Sequence, residues 1–450
     1  MSKVEVTVGI DIGTSSVKAL AVDADGKVMA RARVPHEVRI PSPESFEHDV
    51  DIAWSVGPKT ALAQVSENFS VKGVSVAAMV PSLAAVDSKG RALSAGLLYG
   101  DERGRTGGVG LAGSSPAENG ELFGFVRACV TDAPNATGLW PAQAVANYAL
   151  SKEAVLDTAT ASTAMPLFDG SKWDSALIES AGARVEQFPS LAPTGAAIGR
   201  VGANGPFLAS GCIDAFAEQL VAGADGVGDV LVILGTTLIV WAVVSDPISV
   251  PGYWTIPHTA SGTFLVGGPS NAGGLFWNWA TSWLAESNSG PLPDRVPVWE
   301  PYPRGERTPF HDPHRRGVLF DLDLTHGPAA LRRAAFEASG FVVRRVLDGV
   351  RQASAAPLNR IVATGGGTRV DEWVQAVADA TAMPIDCVAV PEGGALGSAW
   401  LARIAAGLED PHAMTEGRRW ARTGRRVEAD PKWIEPVAQR YDRFVSRFEQ

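Results

Sequence analysis

The chain has 450 residues, a formal net charge of −10 and 46% hydrophobic residues. This length exceeds what one compact core normally organises, so two domains are expected, and the negative charge disfavours binding to a nucleic-acid backbone as the main activity. The three cysteines, Cys129, Cys212 and Cys387, are far apart and lack CxxC spacing. This pattern disfavours a disulfide scaffold and a zinc site, and it predicts a reducing, cytoplasmic location.

The first segment of the chain predicts three antiparallel strands. VTVGID (Val6–Asp11) and VKALAVD (Val17–Asp23) are apolar runs separated by a GTSS turn, and KVMARARV (Lys27–Val34) follows an ADG hairpin turn. Apolar residues at helical spacing over 49–69 then predict a helix, and 71–79 returns to a strand. Three antiparallel strands followed by a helix and a further strand form one α/β unit.

The same order of elements returns in the second half of the chain. The predicted elements are strands at 229–234 and 238–244 around a GTT turn, a strand at 262–268, a helix over Gly327–Ala353, and a strand, glycine turn and helix over 359–383. This repetition predicts an internal duplication, with a boundary between residues 222 and 228. The apolar run from Val230 is short for a membrane span and is broken by a glycine and two threonines, so a soluble protein without a membrane partner is expected.

The first turn, Gly13–Ser16, combines features of a phosphate cradle with a carboxylate. Glycine lets backbone amides approach an anion and hydroxyl groups donate hydrogen bonds, but Asp11 would repel a phosphate. Mg²⁺ usually keeps several waters while it touches one or two carboxylates and phosphate oxygens. Asp11 and the hydroxyls that follow it therefore suit a magnesium–nucleotide site, with Lys18 adding positive charge near the transferred group. The alternative is a plain hairpin in which Asp11 caps a turn.

Three further stretches have both a functional and a structural interpretation. Gly235–Thr237 offers amides and hydroxyls to phosphate oxygens, or it is a simple turn between buried strands. Gly365–Gly367 allows a flat purine to lie against the backbone near a helix N-terminus, or it is a tight turn; it lacks the lysine and the spacing of the P-loop and Rossmann motifs. Asp214 opens a helix of small residues, where it either accepts a proton from an attacking hydroxyl or offsets the helix dipole.

Taken in order, these stretches resemble the carbohydrate kinases of the FGGY family over nearly the whole chain. GIDIGTSSVKA and ILGTT look like the two phosphate motifs of the family, TGGGTRVDEWVQAVAD like its adenosine motif, and PEGGALGSAWLA like the helix that follows. GCIDAFAEQLVAGA is similar to the segment with the catalytic base, LLYGDERG to a sugar-side segment, and PYPRGERTPFHDPHRRGVLFDL to the family's proline- and glycine-rich loop. The similarity is strongest toward the xylulokinases of this family.

The resemblance implies an α/β fold of the actin-like ATPase and sugar kinase type, with two domains that each contain a ribonuclease-H-like core. It implies a sugar-binding domain at 1–222, a nucleotide-binding domain at 223–424, and a C-terminal helical segment at 425–450 that packs back on the first domain. An ATP–Mg²⁺ cleft would lie between the two domains. A sugar or polyol and ATP would be the partners, with no nucleic acid and no membrane, and a homodimer is compatible with the resemblance.

The resemblance also assigns roles to individual residues of this sequence. Asp214 is assigned as the general base and Asp11 as the magnesium carboxylate. The residues assigned to ATP and Mg²⁺ are Asp11, Gly13, Thr14, Ser15, Lys18, Gly235, Thr236, Thr237, Gly366, Gly367 and Asp371. The residues assigned to the sugar are Val80, Pro81, Asp101, Arg103 and Asp214. The implied reaction transfers the γ-phosphoryl group of ATP to a primary hydroxyl, converting D-xylulose to D-xylulose 5-phosphate.

Two departures from the family pattern bear on the substrate. Val80 and Pro81 stand where xylulokinases usually have a Met-His pair, and neither side chain can donate the same hydrogen bonds to sugar hydroxyls. The region Thr137–Asp169 is also shorter than the usual stretch of the family. The alternatives are therefore a kinase for ribulose, a tetritol or glycerol, and a non-catalytic sugar or nucleotide sensor with the same fold.

Overall fold

The computed structural model describes residues 3–42, 45–104, 120–258, 262–285, 290–354 and 357–447. The chain divides into two compact units. Unit 1 consists of Met1–Val221 and Glu392–Trp420, and unit 2 of Ala222–Pro391 and Ala421–Gln450. Over the described ranges, no helix combines the length and the apolar character that crossing a membrane requires.

Most strands are short and alternate with turns. The strands of unit 1 are β1 (Glu5–Ile12), β2 (Ser16–Val22), β3 (Val28–Pro35), β4 (Val38–Arg39), β5 (Glu47–His48), β6 (Ser70–Ala78), β7 (Ser82–Val86), β8 (Gly96–Leu98), β9 (Gly138–Trp140), β10 (Val155–Asp157), β11 (Ser190–Ala192), β12 (Ala197–Arg200), β13 (Phe207–Ala209) and β14 (Cys212–Ile213). The strands of unit 2 are β15 (Asp229–Leu234), β16 (Leu238–Val244), β17 (Trp254–Pro257), β18 (Phe264–Ser270), β19 (Val298–Glu300), β20 (Val318–Phe320), β21 (Arg360–Thr364), β22 (Ile385–Val388) and β23 (Thr423–Val427).

Helices connect the parallel strands and cover the sheets. The α-helices are α1 (Gly57–Ser66), α2 (Glu121–Asp132), α3 (Ala142–Ser151), α4 (Thr158–Ser162), α5 (Ser175–Ser180), α6 (Asp214–Ala222), α7 (Gly274–Ser282), α8 (Pro328–Ala353), α9 (Asp371–Thr381), α10 (Gly393–Ala405) and α11 (Pro431–Ser446). A π-helical segment covers Asp51–Val56, and 3₁₀ segments cover Glu102–Gly104, Val185–Gln187, Gly366–Arg369 and Ala413–Trp420.

The central sheets of the two units have the same strand order. Starting from β3, the order in unit 1 is β3-β2-β1-β6-β13-β12, and β14 also pairs with β6. The corresponding order in unit 2 is β18-β16-β15-β21-β22-β23, and β17 is an additional strand beside β18. In each sheet an antiparallel hairpin, β1–β2 or β15–β16, is joined in parallel by a later strand, β6 or β21. The α/β class and the ribonuclease-H-like core predicted for each half are confirmed, and the repeated order matches the predicted internal duplication.

The apolar run that begins at Val230 forms two buried strands, as predicted. β15 and β16 pair from Val230–Ala242 to Leu234–Leu238, and every residue of β15 is buried. The helix predicted over 49–69 is instead a π-helical segment followed by α1. Pro58 lies at the start of α1 and lacks the amide hydrogen that would continue α-helical hydrogen bonds through this point.

The boundaries of the units differ from the predicted domains at the C-terminal side. Residues 392–420, predicted as part of the 223–424 domain, belong to unit 1. There α10 packs on β1, where the hydroxyl of Thr7 donates to the carbonyl of Ala399 at 3.0 Å. The sequence of α10 is small and apolar on nearly every face, so its composition does not indicate which sheet it covers.

The last helix packs within unit 2, whereas the family resemblance suggested packing on the first domain, a point that the sequence itself left open. The Arg440 side chain of α11 donates to both carboxylate oxygens of Glu337 in α8, at 2.7 and 2.8 Å. The rings of Tyr441 and Phe444 pack in tilted arrangements against Phe341 of the same helix α8. Residues 448–450 of the predicted segment lie outside the described residues.

Candidate active site

Three adjacent strands of unit 1 end at the same edge of the central sheet. β1 and β14 both run parallel to β6, and Ala78 at the end of β6 pairs with Ile12 on one side and Ile213 on the other. The residues at or just beyond these ends are Asp11, Val80, Pro81 and Asp214. Unit 1 therefore brings together residues that the sequence assigned separately to magnesium, sugar and proton transfer.

Asp11 is almost fully buried and uses only one of its two carboxylate oxygens. Its Oδ2 accepts from the Nζ of Lys18 at 3.3 Å, across the hairpin register that pairs these two residues. Its Oδ1 is buried and, within the described part of the chain, has no hydrogen-bond partner. A Cβ on Gly394, near the start of α10, would lie 3.0 Å from the carboxylate carbon of Asp11, so only glycine leaves this space open. A free carboxylate oxygen of this kind fits a hydrated Mg²⁺, which needs only one or two carboxylates.

Lys18 lies among several carboxylates. Its ion pair with Asp11 raises the pKa of Lys18, burial opposes this, and Glu218 and Glu392 raise the pKa further. Lys18 is therefore held in the charged form, and the local charge is negative before any ligand binds.

The first turn is held by side chains from other parts of unit 1. Thr14 accepts at its carbonyl from the Nε2 of His48 at 2.7 Å, and its hydroxyl lies 2.6 Å from the hydroxyl of Tyr99. The amide of Gly13 donates to the carbonyl of Ser16 at 3.1 Å and closes the turn. Ser15 is exposed, and its carbonyl accepts from the backbone amide of His36 at 3.1 Å. The carbonyls of Thr14 and Ser15 are thus committed to protein donors.

Asp214 is the first residue of α6 and follows β14 directly. Its Oδ1 accepts from the amide of Ala215 at 2.7 Å, which orients the carboxylate, and the residue is partly exposed. Val80 and Pro81 lie in the connection between β6 and β7 and are also partly exposed. These three residues are therefore accessible at the sheet edge, in contrast to the buried Asp11.

Asp101 and Arg103 form a saturated cluster with Glu47. Both oxygens of Asp101 accept from the Arg103 side chain, at 2.7 and 2.8 Å, and one of them also accepts from the amide of Phe46 at 2.7 Å. Arg103 donates to Glu47 at 2.5 Å. Asp101 is only 1% exposed, so it holds Arg103 and the Phe46 amide in place and has little capacity left for a sugar hydroxyl. The cluster lies next to the first turn, since Phe46 packs on Tyr99.

In unit 2 the second turn, Gly235–Thr237, is held by the N-terminus of α7. The amide of Gly274 donates to the Gly235 carbonyl at 2.8 Å, and the amide of Leu275 donates to the Thr236 carbonyl at 3.1 Å. Gly273 is in backbone contact with the turn, because a Cβ there would lie 2.5 Å from the amide nitrogen of Leu238. Thr236 and Thr237 are partly exposed and leave their hydroxyls available for a ligand.

The glycine turn of unit 2 follows β21, which runs parallel to β15 and ends beside the second turn. Gly365 has a φ of +89°, and a Cβ on Gly367 would collide with the Trp373 ring. Gly366 alone faces open space. Asp371 begins α9, is 81% exposed and pairs with Arg425 at 2.9 Å. The backbone conformation thus explains the glycine at 365, and the close approach of Trp373 explains the glycine at 367. Gly366 leaves a surface on which a planar ring can lie.

Sequence reasoning missed the residues that support the first turn. His48, Trp54 and Tyr99 are single residues in separate segments, and no spacing pattern connects them to Gly13–Ser16. Gly394 and Glu392 were also missed as neighbours of Asp11 and Lys18, because the segment 392–420 was expected in the other domain. Only the three-dimensional contacts reveal these supports.

Family models match both halves of the chain. The N-terminal domain of the FGGY family of carbohydrate kinases matches residues 6–107, and the C-terminal domain of this family matches residues 230–406. Together the two matches take in more than half of the chain.

Curated relatives and solved structures agree with these matches. The xylulose kinase of Escherichia coli (strain K12) is 27% identical over 418 residues, which is 82% of this chain and 83% of that protein. The gluconokinase of Bacillus subtilis (strain 168) is 24% identical over 421 residues, covering 82% of this chain and 81% of that protein. A crystal structure described as a xyloylose kinase from Brucella ovis superposes with a TM-score of 0.77 at 21% identity and covers 99% of each chain. The chain belongs to the FGGY family of carbohydrate kinases, which are ATP-dependent sugar kinases with the actin-like ATPase fold.

Proposed function

We propose that this protein transfers the γ-phosphoryl group of ATP to a primary hydroxyl of a neutral ketopentose, with D-xylulose as the first candidate. The observation that carries the proposal is the edge of the unit 1 sheet, where β1 and β14 both run parallel to β6: Asp11, with one unbonded buried oxygen, lies near the end of β1, and the partly exposed Asp214 follows β14. A buried carboxylate with one unbonded oxygen and a partly exposed carboxylate are the two acidic groups that a phosphoryl transfer of this kind requires.

In this proposal Asp214 is the general base. It takes the proton of the substrate hydroxyl while the hydroxyl oxygen forms a bond to the γ-phosphorus, the bond between that phosphorus and the bridging oxygen breaks, and ADP leaves. The hydrogen bond from the Ala215 amide fixes the direction of the carboxylate. A positioned base of this type contributes about 10²–10⁴ to the rate.

The remaining residues would bind and orient the nucleotide. Asp11 would hold Mg²⁺ through its hydration shell, and the ion when bound neutralises charge on the phosphate oxygens. Lys18 would add positive charge beside it. The residues proposed to bind phosphates are Gly13, Thr14, Ser15, Gly235, Thr236 and Thr237, and those proposed to border adenosine are Gly366, Gly367 and Asp371. Unit 1 would accordingly bind the sugar and unit 2 the adenosine, and a cleft between the two domains stays a prediction.

The charges at the sheet edge favour a neutral sugar over a sugar acid. Lys18 interacts with Asp11, Glu218 and Glu392, and Arg31 lies 3.8 Å from Glu392, so three carboxylates face two cations and a substrate carboxylate near them would meet more negative than positive charge. Relatives named as gluconokinases are nearly as similar to this chain as those named as xylulose kinases, so identity alone does not decide between the two substrates.

Val80 and Pro81 support a second candidate, a kinase for another ketose or polyol. Discrimination between sugars depends strongly on buried hydrogen-bond donors that fit particular hydroxyls. Neither residue offers a side-chain donor, so the hydroxyl pattern that D-xylulose presents is not specifically required at this position. We propose D-ribulose, a tetritol and glycerol as the alternatives.

The test is sugar-dependent release of ADP from MgATP by the wild-type protein. D-Xylulose, D-ribulose, erythritol, glycerol and gluconate are compared at equal concentrations, and kcat/KM is determined for each. The proposal expects a ketopentose to give the highest kcat/KM and gluconate to give at least about a hundredfold less. A preference for erythritol or glycerol would favour the second candidate, and a preference for gluconate would contradict the charge argument.

A further inference from the structure

His48 is a fully buried side chain with two hydrogen bonds that define its proton position. The indole N–H of Trp54 donates to Nδ1 at 2.9 Å, so Nδ1 is an acceptor and carries no hydrogen. The hydrogen of the neutral ring is therefore on Nε2, which donates to the carbonyl of Thr14 at 2.7 Å. Burial lowers the pKa of His48 to about 4, so the neutral form is the one present near neutral pH.

The bond to the Thr14 carbonyl also fixes the direction of the next amide. The peptide between Thr14 and Ser15 is trans, and in a trans peptide the carbonyl and the amide hydrogen point in opposite directions. Because His48 holds the carbonyl toward the interior, the Ser15 amide hydrogen points in the opposite direction, and Ser15 itself is exposed. Rotation of this peptide would turn a carbonyl oxygen toward any bound phosphate, and the two would repel each other.

In the second turn, main-chain amides hold the carbonyls. There the Gly235 and Thr236 carbonyls accept from the amides of Gly274 and Leu275, so the amides of Thr236 and Thr237 point away from α7. In the first turn a histidine side chain takes the place of one of these helix amides. The ring of His36 packs edge-on against the ring of His48, with 4.5 Å between the ring centroids, and limits the rotation of the His48 ring.

We propose that His48 is a positioning residue for nucleotide binding: with its proton fixed on Nε2 by Trp54, it orients the Thr14–Ser15 peptide so that the Ser15 amide faces a phosphate of ATP. This inference rests on the proposed role of the first turn in phosphate binding. His48 touches neither substrate nor reacting atoms, so its effect is on the affinity for the phosphates.

The first experiment compares binding of MgADP and of adenosine to the full chain by calorimetry. His48→Leu removes the donor, whereas His48→Gln keeps an amide nitrogen close to the position of Nε2. We expect His48→Leu to weaken MgADP binding about tenfold, the effect of one well-placed hydrogen bond, and His48→Gln to weaken it less than about threefold. Adenosine, which has no phosphate, should bind all three proteins equally.

A matched pair of tryptophan variants separates positioning from stability. Trp54→Phe removes the N–H that holds Nδ1 of His48, and Trp173→Phe removes an N–H that donates to the Pro189 carbonyl at 2.8 Å in a different hydrophobic cluster of unit 1. Both changes delete one buried indole hydrogen bond. We expect Trp54→Phe to weaken MgADP binding about two- to fivefold and Trp173→Phe to leave it unchanged. This pair decides the question if His48→Leu does not fold.

The outcomes distinguish the role of His48 from the proposed function. Equal MgADP affinity of wild type and His48→Leu, or an equal loss in Trp54→Phe and Trp173→Phe, would overturn the positioning role alone. A wild-type protein that does not bind MgADP would overturn the phosphate site itself. A wild type that binds MgADP but releases no ADP with any sugar would contradict the proposed reaction, and the comparison of MgADP affinities would still decide the role of His48.

Discussion

The two glycine-threonine turns occupy the same place in two sheets of the same strand order, yet they are held in different ways. In unit 2 the amides at the start of α7 hold the turn carbonyls. In unit 1 the carbonyl of Thr14 is held by the His48 side chain and that of Ser15 by the amide of His36. The two units therefore share the sheet order and the place of the turn, but different groups bind the turn carbonyls. One substitution can remove the His48 side chain that binds Thr14, whereas the contact between α7 and the second turn is disturbed by a larger residue at Gly273.

The turns also differ in charge. In the first hairpin Asp11 pairs across the strands with Lys18, one step before the final pair of the ladder. At the corresponding step of the second hairpin, Ile233 pairs with Ile239. At this step of the ladder the first hairpin has a carboxylate and an ammonium and the second has two isoleucines, which supports the proposal that the magnesium and transfer chemistry belongs to unit 1.

Among changes to the two turns, the largest effect is expected from removing the charge that distinguishes the first turn. Asp11→Asn keeps the shape of the side chain but loses the negative charge proposed to hold hydrated Mg²⁺. We expect kcat to fall by about 10²–10³, as for loss of one preorganised electrostatic contact at a reacting centre. Steady-state kinetics at increasing Mg²⁺ concentration provide the measurement. Ile233→Val, at the corresponding place in the second hairpin, is the control and should change kcat less than about twofold. If kcat falls less than tenfold in Asp11→Asn, the charge difference between the turns does not contribute to catalysis.

A smaller effect is expected from disturbing the helix support of the second turn. A Cβ on Gly273 would lie 2.5 Å from Leu238 N and 2.6 Å from Thr236 O, so Gly273→Ala must move α7 away from the turn. We expect a loss of about 2 kcal/mol in the free energy of unfolding, together with weaker MgATP binding. Urea unfolding and the KM for MgATP measure the two effects.

Gly327→Ala is the matched control for this change. It adds the same methyl group in unit 2, and there the Cβ meets no atom within 4 Å. Equal unfolding free energies for the two variants would show that α7 does not support the turn by close contact.

The smallest effect is a pH dependence that only the first turn should show. The pKa of His48 is lowered to about 4 by burial, from 6.5 in an unfolded chain, so the folded state takes up the proton less readily. The stabilising contribution is complete above pH 6.5 and is lost as the pH falls toward 4. We expect wild type to lose about 1 kcal/mol more unfolding free energy than His48→Gln between pH 7 and pH 5.5. Parallel pH profiles of the two proteins would contradict the buried, neutral state of His48.

Much of the fold could be predicted because it depends on local patterns. Apolar runs around a glycine turn predicted β1–β2 and β15–β16, and the similarity of the two stretches predicted the repeated sheet order. The packing of 392–420 in unit 1 was not predicted, because α10 has small apolar residues on nearly all faces, which suit either sheet equally well. The packing of α11 depends on the buried pair of Arg440 with Glu337, two residues that are far apart in the sequence.

The candidate site was predictable to the extent that it lies on motifs. Asp11 and Asp214 could be proposed from the sequence because each stands at a strand end or helix start inside a recognisable stretch. His48 could not be proposed, because a histidine between two acidic residues has no spacing that connects it to Thr14. Asp101 could be proposed for the sugar side, but its hydrogen bonds with Arg103 and the Phe46 amide depend on contacts that sequence spacing does not show.

The most direct test of the proposed kinase is sugar-dependent ADP release by Asp214→Asn. Asparagine can still accept the hydrogen bond from the Ala215 amide, so the start of α6 is preserved while the proton acceptor is lost. The account predicts that kcat falls by about 10²–10⁴ with the best sugar, while the affinity for MgADP stays that of the wild type. A variant that retains more than about a tenth of the wild-type kcat would contradict the assignment of Asp214 as the base.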